Sequence, residues 1–216
     1  MRETTHRRKK TNIKDIILNN IYDNLKFYFI VIIIFIIGII LGVIFINNIT
    51  ESQTTEIGNY INNFINALKQ EYKIDKGELL KSSLLDNLFL IISMWFIGST
   101  VIGIPIVFGI VLFRGFCIGY TISSIIGVLG VQKGIVFLLS TIFIQNLLFI
   151  PVIICMTVSC IKLYKSIMKD KRRENIKIEI IRHTLISIIL LIILVVSSLI
   201  EVYLSTNLLM LCINFL

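Results

Sequence analysis

The side chains able to do chemistry are few and poorly placed for catalysis. Six carboxylates, Glu51, Glu56, Glu71, Asp75, Glu78 and Asp86, fall between residues 47 and 87. Two carboxylates held across a cleft can cut a glycosidic bond. A segment this short, with one amphipathic helix, builds no closed cleft to fix such a pair. The two histidines, His6 and His183, are far apart, and Cys117, Cys155, Cys160 and Cys212 each stand alone inside apolar runs. A structural zinc site needs about four clustered ligands. No metal is therefore expected, and the cysteines read as small apolar residues. There is no phosphate-cradling glycine loop ending in Lys-Ser/Thr, no zinc-binding histidine pair and no serine elbow. The residues predict no enzyme, no catalytic residue and no cofactor.

What remains is polar chemistry inside apolar sequence. Arg114 and Glu201 are the charges flanked most closely by apolar residues. A proton or ion path usually needs several such charges, so each also reads as a snorkelling or loop charge. Gln145 and Asn146 stand near the middle of another apolar run. Amides in hydrocarbon seek hydrogen-bond partners across a helix interface, as internal glue or as a surface for a partner helix.

The elements that carry these residues are membrane spans. The chain has 216 residues, 56% of them hydrophobic and only 16% charged. A soluble domain carries roughly 25% charged residues, and here the apolar residues form uninterrupted runs. The fold class expected is all-α, a polytopic membrane protein with five transmembrane helices at about 27–46, 88–113, 115–132, 134–161 and 183–204. No cleavable signal peptide is read at the N-terminus, because the first run is too long for a signal core.

The charges between the runs predict orientation. Residues 1–26 carry seven Lys/Arg against three acids, 162–182 carry eight against three, and 47–87 carry four against six. Basic segments stay cytoplasmic. The N-terminus and the 162–182 loop are thus expected inside, and the 47–87 loop and the C-terminus outside. An even number of crossings must separate residues 26 and 162, so the short third run has to span. Arg114 is then expected at the cytoplasmic face and Lys133 at the outer face. The net charge of +8 belongs to these flanks, which face anionic lipid, and no nucleic-acid partner is expected.

Two stretches are amphipathic. Asn12 to Lys26 forms a basic cytoplasmic lead-in (domain 1–26), with Ile13, Ile16, Ile17, Ile21 and Leu25 at helical spacing. In the outer loop, Ile57, Tyr60, Ile61, Phe64, Ile65, Leu68 and Tyr72 recur at three- and four-residue steps. That face must meet lipid, the protein's own spans or another protein. It is the best candidate external partner surface. Residues 27–216 are read as one membrane domain. The glycine pairs Gly38/Gly42 and Gly115/Gly119 let helix backbones approach closely, within one chain or between copies in a homo-oligomer. Pro105 and Pro151 should kink the second and fourth spans.

Two segments resemble a known family. Phe113-Arg114-Gly115-Phe116-Cys117-Ile118-Gly119-Tyr120-Thr121 is similar to the start of the third span in stage II sporulation protein M. Gln145-Asn146-Leu147-Leu148-Phe149-Ile150-Pro151 resembles that family's Gln-Asn-Leu-Leu, two apolar, Pro segment, with Ile144 where a proline would precede the amides. The resemblance implies a role in endospore formation. It implies a multi-pass protein of the septal cell membrane on the mother-cell side, without catalytic activity of its own. It would localise the peptidoglycan hydrolases of the family, stage II sporulation proteins D and P, for septal wall remodelling and engulfment. A transport or permease subunit is the alternative, with a water-accessible path past Arg114, the amides and Glu201.

Overall fold

The computed structural model describes residues 24–69, 75–100, 102–169 and 173–212, and all regular structure among them is helical. The helices are α1 (Leu25–Asn47), α2 (Glu51–Lys69), α3 (Lys76–Gly98), α4 (Gly103–Leu138), α5 (Ile144–Lys169), α6 (Arg173–Ile200) and α7 (Thr206–Cys212). Short π-helical turns, Leu139–Phe143 and Glu201–Ser205, join α4 to α5 and α6 to α7. Four helical segments are long and apolar enough to cross a membrane: Leu25–Asn47, Lys76–Gly98, Gly103–Met168 and Ile176–Cys212. Helices satisfy every backbone polar group internally, as the hydrocarbon demands.

The third segment is 66 residues long. Straight, it would run about 99 Å, against roughly 30 Å of hydrocarbon. It is not straight. Gly130 leaves the helical region at φ 76° and ψ 167°, a conformation that only glycine takes without strain. The chain doubles back there: Gly134 packs against Ile125 and Ile126, and Arg114 reaches Phe149. The segment is a hairpin with legs 103–129 and 131–168.

The break between the second and third expected spans is not where the runs of sequence put it. The 88–113 run is interrupted at Ser99–Gly103, and Arg114 lies inside the first leg of α4. The reason is local. Ser99 and Thr100 turn their hydroxyls onto the carbonyls of Trp95 and Ile97, at 2.7 Å each. Gly103 closes the turn so tightly that a Cβ there would strike the Ile97 carbonyl. Pro105 follows in the first turn of α4, where its missing N–H would be unbonded anyway. It starts a helix instead of kinking one. Pro151 lies inside α5, which runs unbroken through it. The irregular backbone is instead the π turn at Leu139–Phe143.

α1 and the first leg of α4 meet backbone to backbone. A Cβ on Gly38 or Gly42 would overlap carbonyls at Leu112 or Phe116, and one on Gly115 or Gly119 would overlap those of Phe35 or Ile39. The glycine pairs therefore serve a seam within the chain. Val31, Met94, Val107, Val111, Ile153 and Met156 form the core beside it, joining α1, α3, α4 and α5. His183 is buried between α5 and α6, with Nδ1 2.8 Å from the Ser159 hydroxyl.

α2 packs across the hairpin end of the bundle. Ile65 and Leu68 are 5% and 4% exposed and meet Ile125, Phe137 and Leu209. Of the expected cytoplasmic lead-in, only Asn24, Leu25 and Lys26 are described; residues 1–23 lie outside the described residues.

The seam makes a graded prediction. Gly42→Leu or Gly119→Val should destabilise by roughly 1–3 kcal/mol or more, because backbone must move. Gly109→Ala and Gly127→Ala, where a Cβ meets nothing within 4 Å, should stay within about 0.5 kcal/mol. Thermal unfolding in detergent reads both; equal losses for all four would contradict a seam.

Candidate functional site

α3 begins earlier than its uncharged run. The Asp75 side chain caps it, accepting from the N–H groups of Gly77 and Glu78 at 2.8 and 3.2 Å. The helix therefore carries Ser82, Ser83, Asp86 and Asn87 within its length. Asp86 stands about 15 Å from Lys76 and 18 Å from Gly98 along the axis, close to mid-helix. This is the least apolar of the four segments, with mean hydropathy 1.4, and the three- and four-residue spacing puts its polar groups on one stripe.

That stripe faces a cavity of about 380 Å³ between α3, α4, α5 and the π turn at Glu201. Arg114, Cys117, Ile118 and Thr121 line it from the first leg of α4. These positions share one helical face, turned away from the Gly115/Gly119 seam. Gln145, Asn146 and Phe149 line it from α5. Arg114 lies about 16 Å along the leg from Gly103 and about 24 Å from Gly130, well inside the helix. Its expected place at the cytoplasmic junction is thereby corrected. A charge at that depth is costly unless it faces protein or a polar cavity. Here the guanidinium stacks over the Phe149 ring at 4.8 Å and lies within electrostatic reach of Asp86. No ion pair or hydrogen bond to Arg114 is found among the described residues.

Glu201 is held by a network between α3 and the α6–α7 junction. The Ser83 hydroxyl lies 2.6 Å from its carboxylate and 3.1 Å from Ser198 Oγ. Asn87 donates to Ser198 Oγ at 2.8 Å, and Gln145 lines the same cavity as Glu201. Asn146 donates to the Ile142 carbonyl in the preceding π turn, 2.9 Å away. The two π turns dock beside this network: Ser205 Oγ donates to the Ser140 and Thr141 carbonyls at 2.8 and 3.2 Å. A π turn lets backbone carbonyls fall out of register with the α-helical ladder, and such turns are common at functional sites.

The structure brings Arg114, Gln145, Asn146 and Glu201 together. The expected outer partner surface borders them through one groove, which Phe64 and Leu68 line together with Gln145 and Glu201. On α2, Tyr60 is 76% and Phe64 42% exposed, with the Phe64 ring edge-on to Phe137 at 6.4 Å. Ile57 and Ile61 are half-buried, Leu68 is buried against the protein's own helices, and Tyr72 lies outside the described residues. Ser83, Asn87 and Ser198 belong to the site and were not singled out by sequence reasoning, and Asp86 was counted only among the outer-loop carboxylates. The Asp75…Glu78 spacing, a helix-start signature, was the signal that would have carried α3 back over them.

Fold and site define a polytopic α-helical membrane protein with a charged, polar chamber among its helices. The family model for stage II sporulation protein M matches residues 31–206. The chain belongs to the stage II sporulation protein M family, and is thereby a sporulation-related membrane protein. No curated protein and no solved structure matches it.

The network predicts that Ser83→Ala and Glu201→Ala each destabilise by about 1–3 kcal/mol, the cost of stranding a buried polar partner. The double variant should cost less than the sum, by roughly 0.5 kcal/mol or more. Thermal unfolding of the four proteins closes the cycle; strict additivity would separate the two residues.

Proposed function

We propose that the protein is a five-span, non-enzymatic membrane scaffold that localises peptidoglycan hydrolases at the asymmetric septum during endospore formation. The family match over residues 31–206 carries this reading. The five crossings would be α1, α3, the two legs of the Gly130 hairpin, and α6 with α7. The hairpin supports the even crossing number that the basic segments require between residues 26 and 162. The N-terminus would then be cytoplasmic, and α2, the hairpin tip with Lys133, and the C-terminus extracytoplasmic. Membership of the family points to stage II sporulation proteins D and P as the hydrolases, and to the mother-cell side of the septum as the place. The mechanism is tethering: one membrane holds the hydrolases at high effective concentration against one wall. The exposed rim of α2 at Tyr60 and Phe64 is the surface offered to them, while Leu68 holds α2 to the bundle.

In the native host lacking this gene, starved cells stained with a membrane dye should arrest at a flat or bulged asymmetric septum. Complementation with Tyr60→Glu should restore the protein to the membrane but not hydrolase recruitment. Normal engulfment without the gene would overturn the scaffold reading.

One observation favours a second reading, a transport or permease subunit. The chamber places Arg114, Gln145, Asn146 and Glu201 around one cavity, as a polar path would require. Single cysteines at residues 142–149 separate the two. Access from one side only is expected for a scaffold whose chamber is a blind pocket, and access to these positions from both sides would favour transport.

A further inference from the structure

The chamber does not stand alone. Two grooves flank α2 and border the chamber, sharing lining residues with it. One, of about 550 Å³, is lined by Ile57, Tyr60, Ile61 and Phe64 of α2 against Ile125 and Phe137, and meets the chamber at Thr121. The other, of about 610 Å³, lies between α2, α3 and α7 and shares Leu79, Ser82, Ile142, Gln145 and Glu201 with the chamber. Phe64 stands between the grooves and lines both. These volumes fall within the range of ligand sites, roughly 300–1,000 Å³.

The chemistry changes along this path. Most of the wall surface of the first groove is apolar, with Glu56, Thr121 and Ser124 the polar members of its lining. A peptide laid there would leave its backbone N–H and C=O groups without partners in a site that supplies few. An alkyl chain has no such groups to satisfy. At the inner end the chamber presents one guanidinium, Arg114, and two carboxylates, Asp86 and Glu201, with Asn87, Gln145 and Asn146 between them. Arg114 rests on the Phe149 ring and finds no hydrogen-bond acceptor among the described residues. Its planar fork matches a phosphate. The carboxylates beside it would repel a simple anion and accept an ammonium.

We propose that this chamber and its grooves bind an aminophospholipid of the phosphatidylethanolamine type. Its phosphate sits on Arg114, its primary ammonium between Asp86 and Glu201, and an acyl chain along the apolar groove beneath α2. The charge pattern selects a head bearing both signs. A head with phosphate alone meets the carboxylates unpaired, and a quaternary head has no N–H to give them. α2 closes over the lipid, so occupancy of the groove would set the position of the helix whose exposed rim is Tyr60. The site requires only the folded chain in a bilayer and does not rest on the scaffold reading.

Cys117 lines the chamber and reports on it. The full chain carrying Cys155→Ala, Cys160→Ala and Cys212→Ala keeps it as the sole thiol. In nanodiscs, its maleimide labelling rate is compared with phosphatidylethanolamine, phosphatidylglycerol or phosphatidylcholine added to a neutral synthetic lipid. Phosphatidylethanolamine should slow labelling by about tenfold over the other two, and Arg114→Gln should abolish the difference, as expected for losing one charge-assisted contact. Native mass spectrometry of the unmodified chain, which needs no cysteine substitution, should retain phosphatidylethanolamine over the other two. Equal behaviour of the three lipids in both measurements would overturn the proposal, as would equal protection by phosphatidylglycerol. Protection found only in native membranes, with none from any of the three lipids, would assign the chamber to a polypeptide partner and equally overturn it.

Discussion

Two helices can approach to backbone contact only where neither carries a side chain at the crossing. In lipid there is little hydrophobic gain in bringing helices together, so packing of this kind does much of the holding. The seam of Gly38 and Gly42 against Gly115 and Gly119 sets the rotation of the first leg of α4 as well as its distance from α1. With Gly115 and Gly119 turned to α1, the stripe Arg114, Cys117, Ile118 and Thr121 must turn toward α3 and α5. One eight-residue stretch, 114–121, thus supplies both the contact that orients the helix and the polar face that the contact orients. The hairpin at Gly130 then brings Phe149, Gln145 and Asn146 back to the level of Arg114.

Irregular backbone at membrane depth is tolerable only where protein or a polar cavity satisfies it. Both π turns lie beside the chamber, and one helps satisfy the other: Ser205 of the second donates to the carbonyls of Ser140 and Thr141 in the first. Gln145 and Glu201 sit at the edges of these turns. The widened turns and the polar side chains belong to one feature. The Ser83–Ser198–Asn87 hydrogen bonds extend it across to α3.

Much of this was legible in the sequence. Apolar runs marked the membrane segments, the glycine spacing marked close helix contacts, and Gln145 and Asn146 marked a polar interior. The misplaced features share one physical cause. Cutting runs at every charge assumes that each charge lies outside the hydrocarbon. Arg114 and Asp86 face protein and a cavity instead, so a boundary was drawn at Arg114 and the start of α3 was drawn past Asp86. Local backbone chemistry marked the true boundaries: the Asp75 cap, and the Ser99-Thr100…Gly103-x-Pro105 turn. Which of lipid, protein and partner the apolar face of α2 would meet depended on its position across the hairpin, which no periodicity encodes.

The chamber bears on what kind of scaffold this is. A passive anchor needs spans, a seam and an exposed rim, all of which apolar side chains and glycines supply. A guanidinium and a carboxylate partly buried in a bundle, as Arg114 and Glu201 are, lower its stability unless each is well paired, and an apolar replacement of similar volume is often as stable or more so. Here Glu201 accepts from Ser83, whereas Arg114 rests on an aromatic ring. A membrane fold that bears this cost presents charge to something other than itself. The grooves run from that charge to the underside of α2, the same helix that offers Tyr60 outward. The polar interior and the outer surface are therefore the two ends of one mechanical element, and whatever occupies the first bears on the second.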